Sequence, residues 1–181
     1  MARTGGTWAA HGGCIFRSIF LVLLWKMCNF GIMSYVKLYY HVVFGTKYRQ
    51  SVISPDKEGE LFALIMKLTQ NKNGKLIRIN AAYNHIHILV SLPSNLCVAD
   101  YVRDVKRSTS MYIQETRLFP KFWGWNKEYF ATSVSEDVVG SVKQYIIGQK
   151  EHHAVRTFEE EWLSFLPPDI RAKYNLKYLD E

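Results

Sequence analysis

HIHILVSL, at residues 85–92, is the stretch of sequence that decides the fold. Its even-numbered positions are all aliphatic: Ile86, Ile88, Val90 and Leu92. Because side chains alternate between the two faces of a strand, the segment predicts a β-strand whose aliphatic face packs against helices. His85 and His87 then share the opposite face.

Other periodic segments surround this strand. Alternation predicts strands over residues 36–44, 76–82 and 129–134, and helical spacing predicts helices over residues 54–73 and 98–115. Ser54 and Pro55 are the expected N-cap and first turn of the first helix. Ser135 is the expected cap of a third long helix that carries Tyr145 and reaches about His153.

The order of these elements predicts an α+β fold of the ferredoxin-like or RRM-like split βαβ type. We expect an antiparallel sheet with helices on one face, plus the tyrosine-bearing helix, and an open second face for a ligand. Thr157 and Glu160 form a capping box that predicts a short helix through Phe165. Pro167 and the residue after it are expected to end that helix, leaving a polar tail.

Charge and composition limit the function classes. The formal net charge of +7 favours a polyanionic partner such as nucleic acid. The three cysteines cannot build a disulfide framework or a Cys-x-x-Cys site, which suits the cytoplasm. The apolar run at residues 19–25 is too short to span a membrane. A signal peptide is the alternative, but no small-x-small cleavage site follows at residues 26–30. Met33 is the expected start of translation, so residues 1–32 are expected to be an N-terminal extension, misannotated or disordered, before a domain over 33–181.

The histidine pair is a candidate metal site. Side chains two apart on a strand lie roughly 6.5 to 7 Å apart on one face, so the two imidazoles can converge on one cation. The alternative is a pair of solvated histidines on an open sheet.

Tyr145 and Gln149 form a second candidate cluster. Positions i and i+4 of a helix lie one above the other, so the phenol and the amide share a face. By periodicity alone, Tyr145 is predicted to be a packing residue of a helix docked on the sheet.

Four pieces in this order resemble the HUH single-tyrosine transposases of the IS200 type and their relatives associated with repeated extragenic palindromes (REP). They are YHVVFGTKYR at 40–49, NHIHILV at 84–90, YFATSV at 129–134 and YIIGQ at 145–149. The resemblance covers about residues 34 to 153. It departs from the family at Asn84, where an aspartate is common.

The resemblance implies an enzyme, a metal-dependent DNA strand transferase and endonuclease that acts in DNA transposition. His85, His87 and Gln149 would hold Mg²⁺ or Mn²⁺, and Tyr145 would attack the scissile phosphate. The product would be a 5′-phosphotyrosine, which can later be reversed to rejoin strands.

The same resemblance implies single-stranded DNA with hairpin ends as partner, and a homodimer without membrane attachment. The expected DNA-binding residues lie on the second helix and on the first strand: Arg103, Lys106, Arg107, Lys37, Tyr39 and His41. Trp123 or Trp125 is a candidate base-stacking residue.

Two rival functions fit parts of the sequence. A nonenzymatic RRM-like module would bind single-stranded nucleic acid through aromatic side chains on its open face, where this chain has histidines. A metal-dependent nuclease would cleave DNA without a covalent intermediate.

Overall fold

A computed structural model of the protein describes residues 35–152 and 157–177. The predicted extension over residues 1–32 and the predicted helix end at His153 lie outside the described residues. The elements below belong to one compact unit that begins at Val36.

The strands and helices follow the predicted order, and one further helix follows the last predicted one. The strands are β1 (Tyr39–Gly45), β2 (Lys75–Ala82), β3 (His85–Ser91) and β4 (Phe130–Val134). The helices are α1 (Glu58–Asn71), α2 (Val98–Thr116), α3 (Val139–Ile147), α4 (Gln149–His152), α5 (Phe158–Phe165) and α6 (Pro168–Lys177).

The sheet has the strand order β2-β3-β1-β4, and each neighbouring pair is antiparallel. The two central strands are β1 and β3, and Val42 pairs with Ile88. This arrangement confirms the α+β split βαβ fold predicted from the sequence.

One face of the sheet packs against α1 and α2, as the aliphatic positions of β3 predicted. Ile86, Ile88 and Val90 are fully buried there with Val42 and Phe44 of β1. Leu61 and Ile65 of α1 and Val102, Val105 and Ile113 of α2 complete this core. Burying each such aliphatic side chain contributes about 1.5–3 kcal/mol, so this layer fixes the position of β3.

The first helix starts later than predicted. It begins at Glu58 with Lys57 at the N-cap, and no side-chain cap is present. The carbonyl of Ser54 accepts hydrogen bonds from the backbone of Lys57 at 3.1 Å and of Glu58 at 3.0 Å. Ser54 therefore closes a turn that precedes the helix, and the capping prediction was wrong.

The predicted third helix is divided. A 3-10 turn over Glu136–Val138 leads into α3, which ends at Ile147, and α4 follows after Gly148. Asn80 of β2 donates from Nδ2 to the carbonyls of Ile146 at 2.7 Å and Ile147 at 3.3 Å. Because the last carbonyls of a helix lack partners within it, this buried amide stabilises the break. Because of this break, α4 begins at Gln149.

The second face of the sheet is covered, contrary to the expectation of an open face. Ile146 of α3 is fully buried against Leu89 of β3 and Val134 of β4. The helix α5 lies over the histidines of β3, where Phe158 stacks on His85. The described part of the predicted polar tail forms the helix α6, which starts at Pro168 because proline is favoured in the first helical turn.

None of the helices in the described part of the chain combines the length and the apolar character needed to cross a membrane.

Candidate active site

His85 and His87 lie on the second face of β3, as alternation predicted. Both side chains are fully buried, and their ring centroids are 5.0 Å apart. Because α1 and α2 pack against the other face of the strand, both imidazoles project from the opposite face. There they lie beneath α5.

Glu161 is the acid that α5 brings to the histidines. Its Oε2 lies 3.6 Å from Nε2 of His85 and 3.6 Å from Nε2 of His87, and the carboxylate is 1% exposed. The candidate ligand atoms of the three residues all lie within 4.8 Å of one another. A buried carboxylate is costly unless it is paired or binds a cation. A cation held between Glu161 and the two imidazoles would offset this cost.

The start of α5 is fixed by the predicted capping box. Thr157 accepts a hydrogen bond from the Glu160 backbone at 3.3 Å, and the Glu160 side chain accepts one from the Thr157 backbone at 2.9 Å. Phe158 then stacks on His85 with ring centroids 4.2 Å apart. Together these contacts set the position of Glu161 one turn later.

The tautomer of His85 follows from its neighbour Asn84. Asn84 Oδ1 lies 2.7 Å from His85 Nδ1, and an amide oxygen can only accept. Nδ1 of His85 therefore carries a proton, and in the neutral ring Nε2 has the lone pair. Nε2 is also the atom nearest to Glu161.

The tautomer of His87 follows in the same way from two neighbours. Gln149 Nε2, a donor, lies 3.0 Å from His87 Nε2, so this ring nitrogen accepts. The proton of the neutral ring is then on Nδ1, which donates to His41 Nε2 at 3.0 Å. Burial and the neighbouring His87 lower the pKa of His41 from 6.5 to about 3. His41 is thus neutral at pH 7 and can accept this bond.

Tyr145 reaches the cluster from α3. Its hydroxyl donates to Glu161 Oε1, and Gln149 Nε2 donates to the same oxygen at 2.7 Å. The Tyr145 ring lies 6.0 Å from the His87 ring. One carboxylate oxygen of Glu161 therefore contacts the tyrosine and the glutamine, and the other faces the two histidines.

The donor set fits a divalent metal ion. Two imidazole nitrogens and a carboxylate oxygen are the ligands that Mn²⁺, Fe²⁺ and Zn²⁺ accept, and the hydrogen bonds to Asn84 and His41 are the orienting contacts that such imidazoles usually make. His85, His87 and Glu161 can therefore hold a metal ion. As placed, Gln149 faces them with its amide nitrogen, and its oxygen would have to turn inward to become a ligand.

The other predicted site residues lie outside the group formed by His85, His87 and Glu161. His41 is buried beside it, and Tyr39 is half-buried in the apolar layer around Ile146. Lys37 pairs with Glu136. None of the three belongs to the metal-binding group itself.

The basic residues of α2 lie elsewhere. Arg103 is exposed and pairs with Asp100 at 2.5 Å and Asp104 at 3.2 Å. Lys106 is half-buried, and its ammonium donates to the backbone carbonyls of residues 126, 127 and 128 at 3.0, 3.3 and 2.9 Å. Arg107 is exposed.

Sequence reasoning missed Glu161. The signal was nevertheless present, since Phe158, Glu161, Trp162 and Phe165 share one face of α5 at helical spacing. A carboxylate in the middle of an otherwise aromatic stripe needs a buried partner. The partner is the histidine pair, which lies far away in the sequence.

A sequence model of the family described as "Transposase IS200 like" matches residues 34–149. The chain belongs to the IS200-like transposase family. The match includes both histidines, Tyr145 and Gln149, and it ends before Glu161.

Relatives of this IS200-like transposase agree with that membership. The transposase for insertion sequence element IS200 from Salmonella typhimurium is 28% identical over 116 residues, which cover 62% of this chain and 76% of the relative. The ISDra2 transposase TnpA from Deinococcus radiodurans is 25% identical over 120 residues, covering 64% and 86%.

Two solved structures share the fold. A transposase structure from Deinococcus radiodurans has a TM-score of 0.51 at 24% identity and covers 65% of this chain and 95% of its own. The structure of a REP-associated tyrosine transposase bound to a REP hairpin has a TM-score of 0.52 at 16% identity, with coverage of 66% and 70%. Both support the fold described above.

Proposed function

We propose that this IS200-like transposase cleaves and rejoins single-stranded DNA through a covalent bond between Tyr145 and a DNA 5′-phosphate. The observation that carries the proposal is the meeting of Tyr145 with Glu161 beside two buried imidazoles. A tyrosine that only packs has no need of a buried carboxylate at its hydroxyl. The proposal explains why the four side chains, which come from α3, α5 and β3, converge.

The metal-binding residues in this proposal are His85, His87 and Glu161, with Gln149 as a further ligand through its amide oxygen. The mixed nitrogen and oxygen set favours Mn²⁺ or Mg²⁺, because carboxylate and carbonyl oxygens shift preference towards harder ions. When bound, the cation supplies Lewis-acid stabilisation of the charge that develops on the phosphate.

Tyr145 supplies the nucleophile. Its Oη forms a bond to the scissile phosphorus, and its proton passes to Glu161 Oε1, which already accepts its hydrogen bond. The bond from phosphorus to O3′ breaks, and the departing oxygen takes a proton from water to become a 3′-hydroxyl. The 5′-phosphate remains esterified to Tyr145.

Rejoining reverses these steps. A DNA 3′-hydroxyl attacks the phosphotyrosine, loses its proton to water, and forms a new phosphodiester bond. Tyr145 leaves as the phenol and recovers its proton from Glu161. Because the phosphodiester is exchanged and not hydrolysed, the reaction needs no ATP.

The substrate in this proposal is single-stranded DNA that carries hairpins, bound in the cytoplasm by a homodimer. The support is the net charge of +7 and the fold shared with a transposase whose solved structure contains a REP hairpin. Arg107, an exposed cation of α2, is a proposed phosphate contact, and Arg103, Lys106, Lys37, Tyr39 and His41 are proposed to border the DNA.

The proposal is tested with the full chain, hairpin-bearing single-stranded DNA and Mn²⁺. The unmutated protein should cleave the DNA and form an adduct that survives denaturation, and Tyr145→Phe should do neither. Tyr83→Phe is the matched control, because Tyr83 is 61% exposed and lies outside the cluster. Undiminished cleavage by Tyr145→Phe would support a nuclease without a covalent intermediate. Absence of cleavage by the unmutated protein on all DNAs would favour a binding module.

A further inference from the structure

A groove separate from the metal-binding cluster lies between α2 and the segment of residues 123–129. Its volume is about 450 Å³, within the range of about 300–1,000 Å³ typical of ligand pockets. The lining residues that are charged at pH 7 are all cations: Lys47, Arg103, Lys106 and Lys127. Trp123, Trp125 and Tyr129 supply aromatic surface. No carboxylate lines this groove in the part of the chain that the structure describes.

The two tryptophans of the groove have different roles. Trp125 is 8% exposed, donates from its indole nitrogen to Thr109 at 2.8 Å, and lies edge-on to Phe44 with centroids 5.0 Å apart. It is a packing residue. Trp123 is 68% exposed, so most of its large apolar ring is in contact with water.

Two backbone hydrogen bonds hold the chain just after Trp123. The carbonyl of Gly124 accepts a hydrogen bond from the Lys47 backbone at 2.8 Å, and the Asn126 backbone donates to Gly45 at 2.9 Å. Gly124 has φ +118°, a conformation that L side chains rarely adopt, and this turns the chain between the exposed and the buried tryptophan. The exposed indole therefore projects from a fixed support.

Lys106 holds the segment of residues 126–129 in place. Its ammonium lies 5.2 Å from the Tyr129 ring centroid and donates hydrogen bonds to the backbone carbonyls of residues 126, 127 and 128. These contacts fix the backbone at Lys127. The charge of Arg103 is offset by Asp100 and Asp104, so Lys47 and Lys127 are the cations best placed to meet an anion.

We infer that this groove binds an unpaired nucleotide of single-stranded DNA, with the base stacked on Trp123 and phosphates at Lys47 and Lys127. An exposed aromatic ring among cations is the arrangement that binds single strands, because each base has a stacking face and each phosphate a negative charge. The inference rests on the proposed function for its substrate class. It adds a binding site for a base that lies apart from the cleavage chemistry.

The test measures DNA affinity of the full chain in chelator, where no cleavage is expected, with a labelled oligothymidylate and a blunt duplex. Trp123→Ala should weaken oligothymidylate binding by about tenfold, the effect of one stacked base, and leave duplex binding unchanged. Trp123→Phe should retain most of the affinity. Tyr83→Ala, at another exposed aromatic residue, should change nothing, and melting temperatures check that each variant folds.

Salt dependence tests the phosphate contacts. Lys127→Gln and Lys47→Gln should each reduce the slope of log affinity against log salt by about 0.7, the value for one phosphate on a single strand. Lys67→Gln on α1 is the control and should not alter the slope.

Two results would overturn the inference: unchanged oligothymidylate affinity of Trp123→Ala, or an equal loss for the duplex, which would mean a general basic surface.

Adduct formation with Mn²⁺ is scored separately. If no adduct forms but Trp123→Ala still weakens single-strand binding selectively, the proposed function fails and the groove stands. If the adduct forms but Trp123→Ala binds like the unmutated protein, the groove fails and the proposed function stands.

Discussion

Tyr145 donates a hydrogen bond to Glu161, a carboxylate sixteen positions later on a different helix. The other oxygen of that carboxylate lies 3.6 Å from each of two histidine nitrogens. Glu161 thus links the proposed nucleophile to the proposed metal ligands.

Replacing Glu161 with glutamine should keep the fold and weaken Mn²⁺ binding. The amide has the same shape but no negative charge, so we expect the affinity to fall by at least the roughly 10–100-fold that the loss of a ligand-orienting contact costs. Isothermal titration calorimetry measures the change. Glu159→Gln is the matched control, because Glu159 lies on the same helix but pairs at the surface with Arg49. Equal Mn²⁺ affinity of the two variants would remove Glu161 from the metal site.

Asn84 should act through His85. Its amide oxygen fixes the proton on His85 Nδ1, so Asn84→Ala should weaken Mn²⁺ binding by roughly 10–100-fold, as is common for residues that orient a ligand. Asn84→Asp retains an acceptor and should restore the affinity. The same titration measures both variants. If Asn84→Asp binds Mn²⁺ as weakly as Asn84→Ala does, the hydrogen bond to His85 is not the cause of the loss.

The N-cap of α5 should stabilise the helix that carries Glu161. Thr157→Ala removes one hydrogen bond of the capping box and should lower the free energy of unfolding by about 1 kcal/mol. Thr157→Ser keeps the hydroxyl and serves as the control. Urea denaturation measures the difference, which should vanish if α5 is unfolded in solution.

Stability at high pH should depend on Tyr101. Burial raises the pKa of Tyr101 to about 12 against 10.0 in the unfolded chain, although the hydrogen bond with Thr69 opposes this shift. Between these values the unfolded state loses its proton first, so stability is fully present below pH 10 and is lost towards pH 12. Tyr101→Phe should be less stable at pH 7 but show a shallower decline above pH 10. An identical decline in both proteins would contradict the prediction.

The fold was predictable because its signals are local. Alternation in β3 correctly separated Ile86 and Ile88, which face α1 and α2, from His85 and His87. The family resemblance added Tyr145, which periodicity alone could not distinguish from a packing residue. These inferences depend on spacing within a single strand or helix.

The rest depended on contacts between distant segments. The break at Gly148 is stabilised by Asn80 of β2, and the covering of the second sheet face requires α5 to fold back over β3. Lys106 looks like part of a basic stripe in the sequence, but three backbone carbonyls from a later loop bind it. The helical stripe of α5 places Glu161 on the buried face, but its partner is set by the return of the chain over β3.

The central claim is that Tyr145 becomes covalently joined to DNA. The most direct measurement is mass spectrometry of the peptide that contains residues 144–150, after reaction with hairpin-bearing single-stranded DNA and Mn²⁺ and digestion of the DNA. We expect a nucleotide attached through its 5′-phosphate to Tyr145. An unmodified Tyr145 in a reaction that has cleaved the DNA would contradict the account.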